Sequence, residues 1–399
     1  MTAKYFQALD DKEQCVGIYK DGTLHFDNFP ENCLRTWRYS GSLKDENIEY
    51  GWLYAAGDSL EEVCPSHLKE QHERLSRKMN AFRKSFDIAK INFRDHCFYD
   101  LVPHDFLIEF LELKNQITEH VFESYEKPAN YEFLVGASKL LHKIRYQELN
   151  VNNEGCKSLF LQHHNRSQAR QILEGSHYID YKLFGTVTGR LATHGGSFPI
   201  LTLKKEFRNL IKPKNDWFLS FDYNGAEART VIALLDHEQP EGDIHEWNME
   251  NVLNATGNIT REEAKTLFFS WLYNHVSSAF ESEVYDREAL VEQFYIDGYV
   301  HTPLGRKIKI DERRAFNYLI QSTTADLVLE RSMAIDRYLS DKKSYISHLI
   351  HDEVVIDLCD DEREIVPELK KIFAQNSLDT YEVNVQAGET CYELGVLRL

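Results

Sequence analysis

Two short apolar runs in this chain end in aspartate: WFLSFD closes on Asp222 and ISHLIHD on Asp352. Runs of this length and composition predict strands. Carboxylates at two strand ends can meet across a sheet and hold hard cations. Magnesium favours octahedral oxygen ligation, filled by one or two carboxylates and by substrate phosphate oxygens. Two such ions activate one oxygen and stabilise another in phosphoryl transfer. In a chain with 64 acidic residues, two strand-end aspartates on their own read first as turn residues.

A second pattern supplies what a phosphoryl-transfer site would need. In TREEAKTLFFSWLYN, Arg261, Lys265, Phe269 and Tyr273 recur every four residues. At about 100° per residue they form one slowly turning stripe on a helix. Two cations followed by two rings suit a nucleoside triphosphate, the planar fork of Arg and the point charge of Lys dividing the phosphates. The plainer reading makes the rings core and the cations solvated ends. A third set, Arg313, Asn317 and Gln321, is again four apart and could read groove edges or a template strand, or form an ordinary polar face. In GTVTGRLATH, the Thr188–Gly189–Arg190 turn exposes an arginine between small residues.

These residues need a scaffold. Residues 1–60 alternate short apolar runs with turn signals such as Lys20–Asp21–Gly22, which predicts a small β-rich region. Helical patterns follow from about Ser59 to Phe86, through VPHDFLIEFLELKNQITEHVFESYE and through ANYEFLVGASKLLHKI. Residues 180–222 read as mixed, with short strands between GTVTGRLATHGGS and KPKND. Helices, the β-turn HTPLGRKIKI and the long helix ERRAFNYLIQSTTADLVLERSMAIDRYL come next, and strands return at the C-terminus.

Composition bounds the class. The 399 residues suffice for two to four domains or subdomains, and 42% hydrophobic content supports a substantial core. No apolar stretch is long enough for a membrane span, and MTAKYFQALDDKEQ lacks the pattern of a secretory signal. A cytoplasmic location is expected, that of the host for a viral chain. Seven scattered cysteines without a CxxC pair suggest neither zinc nor disulfides. The net charge of -18 argues at first against nucleic acid, but Lys204–Lys214 and Arg306–Arg314 are locally basic, and binding follows where the positive charge sits.

In order along the chain, TVTGRL, DYNGAEAR, REEAKTLFFSWLY, GR…RRAFNYLIQSTTAD and HDEVV closely resemble the polymerase region of family A DNA polymerases, over about residues 181–358. The resemblance implies an α+β right-hand fold with an antiparallel-sheet palm and helical fingers and thumb. The expected division is an N-terminal region over 1–100, thumb over 101–180, palm over 181–235 and 320–399, and fingers over 236–319. It implies template-directed addition of dNTPs to a primer 3′-OH with two magnesium ions. Asp222 and Asp352 match the metal-binding aspartates. Arg261 and Lys265 match the triphosphate grip, with Lys265 best placed to neutralise or protonate the leaving pyrophosphate. Phe269 matches the ring beside the sugar, and Tyr273 the tyrosine beside the nascent pair. Glu227 matches the residue that obstructs a ribose 2′-OH. His245 and the backbone at Tyr223 fall near the triphosphate. Arg190, Arg313, Asn317, Gln321, His351 and Glu353 fall on primer–template DNA. Arg229 is expected as an ion-pair or structural partner.

The chain departs from the family pattern at several positions. Asn224–Gly225–Ala226 stands where Ser-Gln-Ile is usual, Asn274 and Ser322 replace glycines, and SFPILTL alters a proline-rich stretch. Residues 1–100 are too few for the proofreading exonuclease of most relatives, so no proofreading is expected. A shrunken remnant or a dock for a replication accessory protein fits that region, and a compact enzyme of this kind suggests a phage or virus. A single-subunit RNA polymerase, a non-catalytic DNA-binding relative and a metal-dependent nuclease are the alternatives. Glu227, Phe269 and Glu353 favour DNA synthesis over RNA synthesis. The intact aspartates and cations oppose a silent relative. A nuclease leaves the Arg261–Tyr273 stripe unexplained.

Overall fold

The computed structural model of the chain describes residues 5–11, 14–26, 29–41, 43, 47–93, 95–253, 259–391 and 394–397; the opening MTAK and the side chain of Cys15 lie outside this description. The chain forms two compact units, Met1–Tyr146 and Gln147–Leu399.

In the first unit the predicted turn is present. Strands β1 (Gln7–Asp11) and β2 (Gln14–Lys20) pair antiparallel, and Asp21–Gly22 leads into β3 (Thr23–His25). Both turn residues have positive φ, 50° and 79°, the geometry that lets a two-residue hairpin follow the twist of its strands. Helices α1 (Lys69–Ile88), α2 (His104–Ser124) and α3 (Tyr131–Arg145) follow. The stripe of α2, with Leu107, Leu111, Ile117 and Val121, shares one core with Leu9, Tyr19 and Trp37. Helix α2, within the stretch expected as a thumb, thus packs with the N-terminal strands, and the compact unit runs to Tyr146. An amphipathic helix must bury its apolar face somewhere, and spacing alone does not say against which strands.

The second unit is built on a five-stranded antiparallel sheet. Its central strand is β4 (Trp217–Tyr223), followed by helices α4 (Ala226–Leu234), α5 (Ile244–Asn251), α6 (Arg261–Tyr273) and α7 (Arg287–Phe294). A small sheet of β5 (Tyr295–Ile296), β6 (Tyr299–His301) and β7 (Lys307–Lys309) leads into the 27-residue helix α8 (Glu312–Tyr338). Strands β8 (Tyr345–Ile350) and β9 (Glu353–Leu358), helix α9 (Val366–Ala374) and strands β10 (Val383–Gly388) and β11 (Gly395–Val396) complete it, with sheet order β8-β9-β4-β10-β11. Strand β4 is flanked on both sides and buried on both faces, which is why WFLSF is a continuous apolar run rather than an alternating one. Val231 and Ile232 of α4 join Phe268 and Trp271 of α6 and Phe316 of α8 in one core. Helix α6 starts at a capping box, the Thr260 side chain and the Glu263 side chain each satisfying the other's backbone N–H. Among the described residues no helix is long and apolar enough to cross a membrane.

Candidate active site

The two apolar runs form strands that lie in one sheet, and their ends come together. Asp222 lies at the end of β4, directly across from Glu353 of β9 on one side and Asn384 of β10 on the other. Ile350 pairs with Glu353, so His351 and Asp352 form the two-residue turn of the β8–β9 hairpin, with His351 at a φ of 55°. Asp222 and Asp352 therefore occupy the same end of the sheet. Burial drives the Asp222 carboxyl up to about 7, the charges of Asp352 and Glu353 add to it, and a hydrogen bond with Asn384 opposes it. Glu353 is also raised, by burial and by Asp352, against a hydrogen bond from Ser220. Among the described residues no group of three or more His, Cys, Asp or Glu side chains is arranged to hold a metal ion unaided. Two carboxylates at the mouth of the sheet, short of a full ligand set, match a cation that takes its remaining oxygens from substrate phosphates and water.

Glu227 lies in the first turn of α4 and is buried. Burial raises its carboxyl, and Asp352 adds to the shift, while Arg190 opposes it. Arg190 Nη2 donates to Glu227 Oε1 at 2.7 Å. Arg190, which the resemblance places on primer–template DNA, is here the ion-pair partner of Glu227. Arg229 is not. It is fully buried and donates to the carbonyls of Asn224, Pro240 and Gly242 at 2.8, 2.9 and 2.6 Å, tying the turn after β4 to the loop before α5. Of the two roles expected for it, the structural one holds.

Side chains alternate along a strand, so Tyr223 points away from Asp222. Its ring stacks on Phe373 at 4.4 Å and its hydroxyl donates to the Phe373 carbonyl, leaving only its backbone near the strand end.

The stripe on α6 is real. Arg261, Lys265 and Phe269 are half-buried and Tyr273 is exposed, whereas Ala264, Phe268, Trp271 and Leu272 form the buried face. Phe269 and Tyr273 stack with an interplanar angle of 16°. Arg261 Nη2 donates to Asp243 Oδ2 at 2.7 Å, and Nη1 to the exposed Glu262. His245, in the first turn of α5, is buried near Phe268 and Phe269, and its Nδ1 has no hydrogen-bond partner. Burial holds this imidazole down at about 4, partly opposed by Asp243. On α8, Arg313 is exposed, Asn317 and Gln321 are half-buried, and Asn317 Oδ1 is unpaired. A cleft of about 230 Å³ between the end of α6 and the start of α8 is lined by Tyr273, His275, Arg287, Arg313, Arg314 and Asn317.

Sequence reasoning missed several residues that hold this arrangement. Asp243 caps α5, accepting from the His245 and Glu246 amides, and also holds Arg261. An aspartate directly before a helix was a readable cap signal; its second role was not. Arg287 donates to the carbonyls of Trp271, His275 and Ser277 and lies over the Trp271 ring, closing the C-terminal end of α6. Arg306 pairs with the fully buried Asp326 at 2.6 Å, and its guanidinium lies under Gly189.

No family model matches this chain. Among solved structures, the POL domain of Pol1 from M. smegmatis, complexed with DNA primer-template and dNTP, superposes with a TM-score of 0.61 at 13% identity, covering 72% of this chain and 76% of that one. The fold is thus an α+β polymerase fold. Curated relatives include thermostable DNA polymerase I of Thermus aquaticus, 25% identical over 236 residues, and DNA polymerase I of Lactococcus lactis subsp. cremoris, 24% over 266 residues. DNA polymerase I of Chloroflexus aurantiacus is 22% identical over 280 residues. These matches cover 47%, 52% and 56% of this chain but only 28%, 30% and 30% of the relatives' own length. The chain is thus similar to DNA polymerase I proteins in sequence and to a polymerase domain in fold.

Proposed function

We propose that this chain is a template-directed DNA polymerase that adds dNTPs to a primer 3′-OH. One observation carries the reading. The strand end with Asp222, opposite the Asp352 turn, is linked through Asn224 and Asp243 to Arg261 at the head of the cation–aromatic stripe. The likeness to polymerases named above supports the reaction class.

Magnesium is the cation we propose. Asp222 and Asp352 would hold two ions, which supply Lewis acidity at the primer hydroxyl and charge neutralisation at the leaving group. The chain's own residues do the rest. Arg261 binds the triphosphate through N–H groups used by neither Asp243 nor Glu262, and Lys265 neutralises or protonates the departing pyrophosphate. Phe269 faces the sugar, and Tyr273 packs beside the nascent pair. His245, neutral and buried, offers a hydrogen bond without a charge. Glu227, held by Arg190, stands where a ribose 2′-OH would project. Arg313, Asn317 and Gln321, with the cleft beside Tyr273, line the path of the template, and His351 and Glu353 flank the primer end. Asp311 is the acidic neighbour of Arg313 and Arg314 there, with both cations exposed enough to meet phosphate instead. Phosphate contacts of this kind make binding strongly salt-dependent.

Primer extension with dNTPs or NTPs tests the reading. The expected outcome is magnesium-dependent extension with dNTPs and little with NTPs. Glu227→Ala should narrow the dNTP preference by about tenfold or more, a change of about 1.4 kcal/mol in discrimination. No extension with dNTPs would refute the polymerase assignment, and unchanged sugar selectivity in Glu227→Ala would refute the gate.

A further inference from the structure

The turn between β4 and α4 is Asn224–Gly225, with Ala226 opening the helix, and the Asn224 side chain faces the start of α5. Asn224 is buried. Its Nδ2 donates to Asp243 Oδ2 at 3.0 Å, and its Oδ1 accepts from the Ile244 amide at 2.8 Å. Gly225 makes the approach possible: it has a φ of 68°, and a Cβ there would lie 2.2 Å from Ile244 Cγ2. The start of α5 is therefore docked directly on the residues that follow Asp222.

Asp243 is where this docking meets the stripe. One carboxylate oxygen accepts from the His245 and Glu246 amides at 2.9 and 3.1 Å. The other accepts from Asn224 and, at 2.7 Å, from Arg261. Burial would raise this carboxyl, but the hydrogen bonds from Arg261, Asn224 and the Glu246 amide pull it well below the ordinary carboxylate range. A carboxylate so fully satisfied has one orientation. It takes a single N–H from a guanidinium that carries five; the exposed Glu262 takes another, and the remaining N–H groups are left for another anion.

We infer that Asn224 is a positioning residue for triphosphate binding: it fixes the Asp243 carboxylate, and through it the Arg261 guanidinium, in register with the strand end that carries Asp222. The inference rests on the polymerase reading. A triphosphate then meets a cation already aimed at the metal-binding end of the sheet, and ordering Arg261 is not left to the binding step. The residues that depart from Ser-Gln-Ile acquire a reason. Asn224 reaches two partners on α5, and Gly225 clears the space for them.

Single-turnover extension on primer–template at varied dNTP concentration tests this, because it separates dNTP affinity from the maximal rate. Asn224→Ala should raise the dNTP Kd about tenfold, equivalent to about 1.4 kcal/mol, with primer–template affinity and maximal rate little changed. Asn224→Asp has the same shape and keeps the acceptor for the Ile244 amide, but it turns a carboxylate towards Asp243. It should weaken dNTP binding more than Asn224→Ala does. If Asn224 served packing alone, the isosteric Asn224→Asp would lie nearer wild type, and that order overturns the inference. In an Arg261→Ala background, adding Asn224→Ala should change the Kd less than about twofold, because neighbours acting through one partner are non-additive; full additivity overturns the inference. This cycle compares variants in a common background, so a stability loss in one single variant does not blunt it. Wild-type protein that extends no primer overturns the polymerase reading itself. Wild-type extension with a flat Kd across the Asn224 variants overturns this inference alone.

Discussion

At the scale of the residue, Asp222 is held against its own stability. Burial raises its carboxyl to about 7 and the charges of Asp352 and Glu353 add to that. The ordinary value for an aspartate is about 3.9. Between those values the folded state binds more protons than the unfolded state, so the stability this group contributes is lost as pH rises through that window. At about pH 8 the ionised carboxylate is a burden that only a cation relieves. Asp222→Asn should therefore abolish extension and yet raise Tm by a few degrees at about pH 8. Magnesium should raise the wild-type Tm more than that of the variant, since a ligand of the folded state stabilises by mass action. Scanning fluorimetry with and without magnesium measures both, and a variant no more stable than wild type would contradict the argument. That strands run up to Asp222 and Asp352 was legible, because an apolar run that stops on a carboxylate is a local pattern; a metal role for the two was implied only by the resemblance. The Glu227–Arg190 pair was not: its partners are 37 residues apart, and spacing carries no information about which turn meets which helix.

At the scale of the element, the Thr188–Gly189–Arg190 turn depends on a support from elsewhere. Arg306, just before β7, donates to both oxygens of Asp326 on α8, at 3.1 and 2.6 Å. Burial raises the Asp326 carboxyl and Arg306 opposes the shift. Removing one partner of a buried pair strands the other, at about 3–5 kcal/mol, so the guanidinium cannot move aside cheaply. Gly189 has a φ of 77°, and a Cβ there would lie 2.5 Å from Arg306 Nη2. Gly189→Ala thus meets both backbone strain, about 1–3 kcal/mol for a non-glycine residue at positive φ, and a pinned neighbour. We expect a Tm loss of several degrees. The displaced turn should also loosen Arg190 from Glu227 and reduce dNTP-over-NTP selectivity. Melting curves and paired extension assays check these, and a variant with wild-type values in both would remove the turn from the argument. Helices α6 and α8 were readable in full, because a four-residue recurrence is a property of one helix. The supports were not, since Arg306–Asp326 and Arg287 on the end of α6 join elements that the sequence presents separately.

At the scale of the whole molecule, two units with separate cores divide the chain at Tyr146–Gln147. The sheet and helices of the second unit followed from apolar runs and turn signals, whereas the boundary depended on which strands α2 chose to cover. Two buried histidines bear on the acid stability of the second unit: His245, which the resemblance named, and His348, which the sequence offered no reason to single out. His348 on β8 is fully buried; its Nδ1 lies 2.9 Å from Ser347 Oγ, its Nε2 lies 3.6 Å from Cys391 Sγ, and the ring meets Phe218 edge-on. Burial, with the charge of Arg208, holds it down at about 3, and His245 is held at about 4. An unfolded histidine titrates near 6.5. Below that pH the unfolded state binds protons that the folded state refuses, so each histidine costs stability as pH falls towards its folded value. The raised carboxyl of Asp222 acts with the opposite sign over much of the same range, and those of Glu227 and Glu353 are shifted in the same direction. The wild-type profile alone therefore does not isolate the histidines, and a difference does. His348→Gln keeps a polar side chain but removes the proton site. At about pH 7.5 it should be less stable than wild type, through lost packing on Phe218. That gap should narrow steadily as pH is lowered to about 4.5, because only the wild type carries the His348 cost. Tm measured for both proteins across that range decides the matter: a gap that stays constant would mean that His348 titrates alike in the folded and unfolded chain.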